Sequence, residues 1–452
     1  MVTSRLADHI ASAMSRPLPA EVINKASLHV LDTLAAMVSG TQLEAGKKAL
    51  PFVAGVGGRE EALVVGSRTI TTATLAALAN GMLAHADETD DSHAPSLTHP
   101  GCAVVPAALA VGEREHRSGR DLLRAVAVGY DVGPRIAAAL GGERFFDQHH
   151  TSHSFGGLFG AAAAAASLLG LDSREAAFVL AYAVQLASGN PCWRRDPDHV
   201  EKAFDFGGMP AHNGVLAATM VAAGFTGSAA ALEGTPGLFA AYPATSRPEL
   251  ATSELGSRFE LMHTAIKKWS VGSPIQPALD SLQFLMSNEG LAAADVVRIV
   301  VALPRQSAPV VDNRDMPDLN LQHQLSLLLV DGDLTFTSGH DLQRMHDPRI
   351  AAMRERIRID PRYDEDFVRN SRQAIVTVHL KDGRIIERHT AHVRGTPADP
   401  MSPTEVQTKA RDLMRPVLGK DRTDRLIDQI ARLEFLGDVT ELRALLSLPL
   451  AA

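Results

Sequence analysis

The chain has 452 residues, of which 45% are hydrophobic and 21% are charged, so it can bury a large core and does not belong to the disordered class. Its 52 acidic residues outnumber its 44 basic ones, and the net charge of −8 excludes the basic field that binding to nucleic acid or an anionic membrane requires. The length predicts two domains, and two cysteines, Cys102 and Cys192, are too few for a disulfide framework, which favours a reducing cytoplasm.

Helical patterns dominate the first 265 residues. Apolar residues recur at helical spacing in the segments 19–40, 71–85, 100–113, 119–138, 155–169, 173–188 and 211–224. The stretches 155–171 and 206–232 carry no charge, but they are rich in alanine and glycine and not apolar enough for a membrane span. We therefore expect closely packed helices inside a globular domain.

The pattern changes after residue 265. Residues 296–303 are rich in β-branched side chains, and residues 376–386 alternate around an Asp-Gly turn, so both segments predict strands. A helix is predicted over 273–287, and helical patterns return from Ser402. The expected fold class is mainly α, with a large all-helical domain and a smaller α+β domain. Their predicted bounds are residues 1–265 with 401–452, and residues 266–400.

The densest group of polar residues lies between two predicted helices, where residues 85–99 contain four acids and three histidines. One interpretation is a solvated acidic loop that caps the next helix. A second is a metal site, since histidine and aspartate are good ligands, although no standard spacing such as HExxH is present. A third is acid–base chemistry, because mutual repulsion and burial of carboxylates raise one pKa and keep a proton available.

Two further segments carry candidate residues. Residues 149–154 place three histidines before an alanine-rich helix, where we expect Ser154 to cap the helix and the free N–H groups to suit a substrate carboxylate. Lys202 enters a charge-poor stretch, and Lys267 and Lys268 stand where the helical part gives way to the α+β part. Single lysines usually lie at the surface, but lysines at such edges can pair with carboxylates or act as bases after desolvation.

Several motifs follow one another along the chain. They are His85-Ala86-x-Glu88-x-Asp90-Asp91-Ser92-His93 with His99-Pro100-Gly101, His150-x-x-x-Ser154-Phe155-Gly156, Lys202-x-x-x-x-Gly207, Asn213-Gly214, Gly234 and Gly237, Lys267-x-Trp269, and Leu433-x-x-Leu436-x-Asp438-Val439-x-x-Leu442. Together they resemble the MmgE/PrpD family, which includes 2-methylcitrate dehydratase, cis-aconitate decarboxylase and iminodisuccinate epimerase. The resemblance spans essentially the whole chain and rests on the order of the motifs.

The resemblance implies a large all-helical domain closed by the C-terminal tail, a smaller α+β domain like a lid, and an active site in the cleft between them. It also implies a homodimer, with neither a metal nor an organic cofactor. The implied catalytic residues are His99, Lys267, Lys202 and Glu88, and we expect Asp91 to work with Glu88. The implied substrate-binding residues are His150 and Ser92, which we expect Ser154 and Lys268 to join.

This sequence departs from the family pattern at three places. Glu88 and Ser92 stand where aspartate and threonine are more usual, and Lys268-Trp269-Ser270 stands where many relatives carry a Pro-Tyr-Pro-like run. The longer carboxylate and the freer hydroxyl alter the pocket, so the resemblance leaves the identity of the substrate open.

The expected activity is that of a cofactor-independent lyase, a dehydratase or decarboxylase, that transfers a proton at the α-carbon of a small di- or tricarboxylic acid. Such a carbon acid is very weak, so Lys202, Lys267 and His150 would hold the carboxylates and stabilise the developing charge. His99 or a lysine would move the proton. Three alternatives stay open: an epimerase of an iminodisuccinate-like dicarboxylate, a metal-dependent hydrolase that uses the 85–99 loop, and a non-catalytic scaffold.

Overall fold

The structure, a computed structural model, describes residues 1–362, 367 and 372–448. The chain divides into two compact units. Unit 1 comprises Met1–Ala86, Asp90–Ala265 and the described residues from Val406 onwards, and unit 2 comprises Asp87–Thr89 and the described residues of Ile266–Glu405. The acidic loop therefore contributes residues to both units.

Helices account for most of unit 1, and the expected mainly α class is confirmed. The helices up to residue 241 are α1 (Val2–Ala11), α2 (Ala20–Gly40), α3 (Glu44–Val56), α4 (Ala73–Ala84), α5 (Gly101–Arg114), α6 (Gly119–Leu140), α7 (Glu143–Asp147), α8 (Ser152–Leu168), α9 (Ser173–Leu186), α10 (Val200–Ala203), α11 (Met209–Ala222) and α12 (Leu238–Ala241). A π-helical turn, Phe204–Gly208, joins α10 to α11. A short hairpin of β1 (Ala62–Leu63) and β2 (Ile70–Thr71) was not predicted.

Unit 2 combines helices with a mixed four-stranded sheet. Its elements are α13 (Gln276–Asn288), β3 (Val296–Pro304), α14 (Ala308–Val311), α15 (Leu321–Asp331), α16 (Phe336–His340), α17 (Pro348–Arg354), β4 (Ile357–Arg362), β5 (Ala374–Leu380) and β6 (Ile385–Thr390). The strand order is β4-β3-β5-β6, with β3 and β4 parallel and the other pairs antiparallel. The chain ends with α18 (Pro403–Leu418), α19 (Lys420–Ala431) and α20 (Arg443–Leu446).

The sheet of unit 2 buries the residues that the sequence marks as apolar. Val376, Val378 and Leu380 of β5 are buried in alternation with half-buried neighbours, and they share one core with the apolar faces of α13 and α15. Gly383 turns the chain into β6 with φ of +87°, a conformation that glycine adopts without strain. The predicted strands and hairpin are confirmed.

Small residues let the long helices of unit 1 approach closely. A Cβ on Gly133 of α6 would lie 2.3 Å from the carbonyl oxygen of Gly156 on α8, and a Cβ on Gly214 of α11 would lie 2.6 Å from Ala161. Ala161–Ala166 are wholly buried, so the alanine run is a packing surface. Among the described residues, no α-helix has the length and apolarity needed to cross a membrane.

This packing gives a stability test. Replacing Gly133 by alanine should lower the free energy of unfolding by roughly 1–3 kcal/mol, because the added methyl group meets backbone atoms that cannot yield. Gly55 of α3 is the matched control, since its Cβ would meet nothing within 4 Å, and Gly55→Ala should raise stability by about 0.5–1 kcal/mol through helix propensity. Thermal unfolding of both variants checks this, and equal melting temperatures would contradict it.

Candidate active site

The acidic loop, residues 85–93, is buried along its whole length. It follows α4, and the side chains of His85, Asp90 and Asp91 are fully inaccessible to solvent. Buried carboxylates are costly unless cations or hydrogen-bond donors face them, so this loop requires partners that a surface loop does not. The interpretation as a solvated acidic loop is therefore wrong.

Asp90 lies between two imidazoles. Its Oδ2 is 2.9 Å from Nδ1 of His85, and its Oδ1 is 3.1 Å from Nδ1 of His99. The two rings meet edge to face with their centroids 5.1 Å apart. Burial alone would raise the pKa of Asp90, but the two imidazoles hold it well below its usual range. Asp90 is therefore ionised and can accept an Nδ1–H hydrogen bond from each histidine.

Phe206 packs against two histidine rings. It stacks on His153 with centroids 3.9 Å apart and planes at 14°, and on His85 with centroids 4.4 Å apart and planes at 20°. Phe206 belongs to the π-helical turn, a rare geometry that is frequent at functional sites. The turn lies close to α4 because a glycine stands on each side: a Cβ on Gly207 would be 2.1 Å from the carbonyl oxygen of Gly81.

Lys202 belongs to the same cluster. Its Nζ is 5.1 Å from the centre of the Phe206 ring and 5.3 Å from that of Trp193. The His99 ring lies 5.5 Å from Phe206 and 5.3 Å from His153. A cation–π contact holds an ammonium group without neutralising its charge, so the charge can still attract a carboxylate. The structure thus brings the predicted residues His99 and Lys202 together around Phe206.

His150 packs in a different ring cluster of unit 1. Its imidazole stacks on Phe145 with centroids 4.7 Å apart and meets Tyr242 edge to face at 4.9 Å, and burial lowers the pKa of His150. His153, which sequence reasoning did not select, is the histidine that joins His99. The spacing of His153 and Gly157 places them on one face of α8, but the packing of Gly157 against the π-helical turn is seen only in the structure.

Ser154 does not cap a helix. Helix α8 begins at Ser152 after Thr151, so Ser154 lies within its first turn. The Ser154 hydroxyl donates to the carbonyl oxygen of Ser188 at 2.7 Å and contacts the Thr151 hydroxyl. The predicted capping role is wrong because the helix starts three residues earlier than predicted, whereas contact between Ser154 and a substrate stays a prediction.

Asp91 is enclosed by hydrogen-bond partners. Its Oδ2 is 2.6 Å from both His29 Nδ1 and the Tyr130 hydroxyl, and its Oδ1 accepts a 3.0 Å bond from the backbone N–H of Gly101. Burial alone would raise the pKa of Asp91, but its hydrogen bond to His29 lowers it. These contacts tie the loop to α2, α6 and the start of α5, which is the geometry of a residue that holds the loop in place.

Ser92 carries a buried hydroxyl in a fixed backbone. Its N–H and C=O both pair with Ala265, at 3.0 and 2.9 Å. Its Oγ is buried and has no hydrogen-bond partner among the residues that the structure describes. A substrate oxygen would satisfy this group, which agrees with the predicted role of Ser92 in substrate binding.

The other predicted carboxylate and lysine pair within unit 2. Lys267 is buried, its Nζ donates to the carbonyl oxygen of Glu88 at 2.6 Å, and the same Nζ is 3.9 Å from the Glu88 carboxylate. Beside them, Asp87 lies 2.9 Å from Nε2 of His340, which the sequence analysis did not single out. Burial alone would lower the pKa of His340, but the Asp87 carboxylate raises it to about 9.

Lys268 has other partners than Lys267. Its Nζ donates to Gln283, lies 3.6 Å from Asp280 and sits 4.6 Å from the centre of the Trp269 ring. Lys268 is therefore engaged with α13, and its predicted role in substrate binding stays a prediction.

The His85, Asp90 and His99 group also has the composition of a metal site, since its ligand atoms lie within 4.8 Å of one another. Two ligands at about 2.0–2.2 Å from a tetrahedral Zn²⁺ lie about 3.3–3.5 Å apart. The 2.9 and 3.1 Å separations seen here are those of direct hydrogen bonds. The geometry therefore fits a hydrogen-bonded acid–base group better than a metal centre.

Comparison with known protein families gives two matches that together cover most of the chain. The MmgE/PrpD N-terminal domain matches residues 4–251, and the MmgE/PrpD C-terminal domain matches residues 269–434. The chain therefore belongs to the MmgE/PrpD family, as the motifs of its sequence predicted.

Its relatives include several cis-aconitate decarboxylases. The one from Homo sapiens is 27% identical, with 99% of this chain and 95% of the relative aligned. The one from Mus musculus is 26% identical over 99% of this chain and 94% of the relative, and one from Aspergillus terreus is 23% identical over 99% and 96%. These relatives support a lyase-type enzyme.

The Asp87–His340 pair predicts a specific pH dependence of stability. Because the folded-state pKa of His340 is raised to about 9, the pair stabilises fully below the unfolded-state value of roughly 6.5 and loses that contribution as pH rises through 9. The stability advantage of the wild-type protein over His340→Asn should shrink by up to about 3 kcal/mol across this window.

Melting temperatures measured between pH 6 and 10 test this prediction. The matched control is His346→Asn, since His346 is an exposed histidine of the same unit and its loss should leave the pH profile unchanged. A wild-type and a His340→Asn profile that run parallel would contradict the assignment.

Proposed function

We propose that this protein is a cofactor-independent lyase that decarboxylates a small tricarboxylic acid, with cis-aconitate as the first candidate. The observation that carries the proposal is the buried Asp90 carboxylate with an imidazole on each oxygen, His85 and His99. The names of the relatives support the same reaction class.

The chemistry follows from how the histidines are held. Each Nδ1–H donates to Asp90, which leaves Nε2 of each ring as the atom that exchanges protons. Nε2 of His85 is buried without a hydrogen-bond partner within the described part of the chain. His99 is the more accessible ring, with its side chain 11% exposed. We therefore assign proton delivery to His99 and orientation of the pair to Asp90.

In the reaction, one carboxylate leaves as CO2. The electron pair of the broken C–C bond forms a new double bond to the neighbouring carbon. The π electrons of the existing double bond move to its other carbon, which lies next to a second carboxylate. His99, as an imidazolium, delivers a proton to that carbon and is later reprotonated by water. Lys202 holds a remaining carboxylate and stabilises the negative charge as it develops. Lys267 and Glu88 keep the roles that the family resemblance implies.

An epimerase that works with two bases would need a second base, and Lys268, next to Lys267 in the sequence, is a candidate for it. Lys268 is held by Gln283 and Asp280 on α13, so its geometry does not favour a second base. We therefore place the decarboxylase hypothesis before the epimerase hypothesis.

Proton NMR in heavy water tests the proposal directly. Purified protein is incubated with cis-aconitate, 2-methylcitrate and both iminodisuccinate isomers. We expect cis-aconitate to release CO2 and give a new alkene that carries deuterium next to a carboxylate. Deuterium exchange at an α-carbon without CO2 release would identify an epimerase, and unchanged substrates would overturn the proposal.

Substitution at the imidazole pair gives a quantitative check. His99→Asn and Asp90→Asn should each lower kcat by roughly 10²–10⁴, the usual contribution of a positioned acid or base, with much smaller changes in KM. The control is His149→Asn, because His149 is exposed and has φ of +64°, a conformation that asparagine tolerates. Near-wild-type kcat in His99→Asn would refute the assignment.

A further inference from the structure

A second charged cavity lies in unit 1. It has a volume of about 340 Å³ and lies at the C-terminal end of α6, where residues 247–260 also line it. The side chains with charged or titratable groups that line it are Arg135, Arg144, Arg247, Arg258, His93 and Glu260. Four guanidinium groups thus share one cavity with a single carboxylate, in a chain whose net charge is −8.

The floor of the cavity is a fixed cation. Arg135 is buried, its Nε lies 2.9 Å from Asp131, and its Nη2 donates to the carbonyl oxygen of Arg258 at 2.7 Å. Its Nη2 also lies 3.6 Å from Oε1 of Glu260, so this guanidinium is ion-paired on two sides and forms a fixed part of the cavity wall.

The rim carries cations that the protein leaves available. Arg144 and Arg247 are exposed, and neither side chain makes a hydrogen bond or ion pair with any residue that the structure describes. Arg258 is 42% exposed but, unlike these two, is ion-paired: it lies 3.3 Å from Glu260 and 3.9 Å from Glu254, so an anion would compete with these carboxylates for it. Guanidinium groups match carboxylates and phosphates in shape because two parallel N–H donors face two oxygens.

The backbone holds the rim in place. The N–H of Arg247 donates to the carbonyl oxygen of Ala139 at 2.6 Å, which fastens its segment to the end of α6. Gly141 has φ of +116°, and a Cβ there would lie 2.8 Å from Thr245, so the turn before Arg144 is packed directly against the same segment. The two arginines therefore project from a closely packed junction.

The cavity also connects to the acidic loop. Oε2 of Glu260 lies 3.2 Å from Nε2 of His93 and 3.3 Å from Nη2 of Arg258, so one carboxylate oxygen faces a histidine of the loop and an arginine of the cavity. An anion that binds Arg258 would weaken its contact with Glu260. The contact between Glu260 and His93 would change as a consequence.

We propose that this cavity binds a small molecule bearing two or more anionic groups, carboxylates or phosphates, as a site separate from the imidazole cluster. Arg144 and Arg247 bind the anionic groups together with Arg258, and the ion-paired Arg135 fixes the wall of the cavity beside them. Binding is coupled to the acidic loop through Glu260.

Isothermal titration of the full-length protein at one fixed ionic strength tests this proposal, with citrate, pyrophosphate and acetate as the probes. We expect citrate or pyrophosphate, but not the singly charged acetate, to bind a site that the Arg144→Gln/Arg247→Gln variant loses or binds at least tenfold more weakly. Preference between the two probes distinguishes a polycarboxylate from a phosphate ligand.

The control is Arg68→Gln/Arg425→Gln, which changes the net charge equally at two exposed arginines outside the cavity and should keep wild-type affinity. Equal weakening in both double variants, or no binding of either probe to the wild-type protein, would overturn the proposal. Turnover of cis-aconitate is measured on the same samples, so failure of this site is distinguishable from failure of the proposed activity.

Discussion

The close contact between α4 and the π-helical turn determines where the imidazoles of His85 and His153 lie. Gly81 and Gly207 meet backbone to backbone, and this lets Phe206 lie flat on His85, the residue at which α4 ends. The same ring stacks on His153 at the start of α8. A side chain at either glycine would separate the two backbones, so the stacking contacts and the histidine geometry depend on the same small-residue packing.

Two consecutive carboxylates of the acidic loop, Asp90 and Asp91, have different structural roles because their neighbours differ. Asp90 faces two imidazoles and Asp91 faces α2 and α6. Both are fully buried, and in both the hydrogen-bond partners outweigh the cost of burial, so both pKa values lie below their usual range. The polar network around Asp91 fixes the loop, whereas Asp90 orients the imidazoles of His85 and His99.

Periodicity and turn chemistry were sufficient to predict most of the fold. The long helices of unit 1 and the β5–β6 hairpin are marked by local patterns in the sequence, and the structure contains them. Strand β4 was not predicted because it lies at the edge of the sheet, and its apolar alternation is limited to Ile357 and Ile359 before Asp360 and Pro361 interrupt it.

The site was harder to predict because it depends on which side of a helix a residue faces. The sequence shows the histidines of residues 149–153 as one cluster, yet the first turn of α8 directs His153 toward Phe206, while His150 precedes the helix and packs on Phe145. The helix starts three residues earlier than the predicted segment 155–169, which places His153 within its first turn, and helix boundaries are the part of a sequence pattern with the least physical signal.

The arginine cavity also could not be predicted from local patterns in the sequence, in this case patterns of charge. Its four arginines lie between residues 135 and 258, and no local run of basic residues announces them. Only the folding of residues 245–260 against the end of α6 brings them together. An acidic chain attracts an anion only where cations are concentrated, since at physiological salt the field of a charge decays within about 8 Å. The local count of charges around a cavity, rather than the net charge of the chain, therefore decides which ligands this protein can bind.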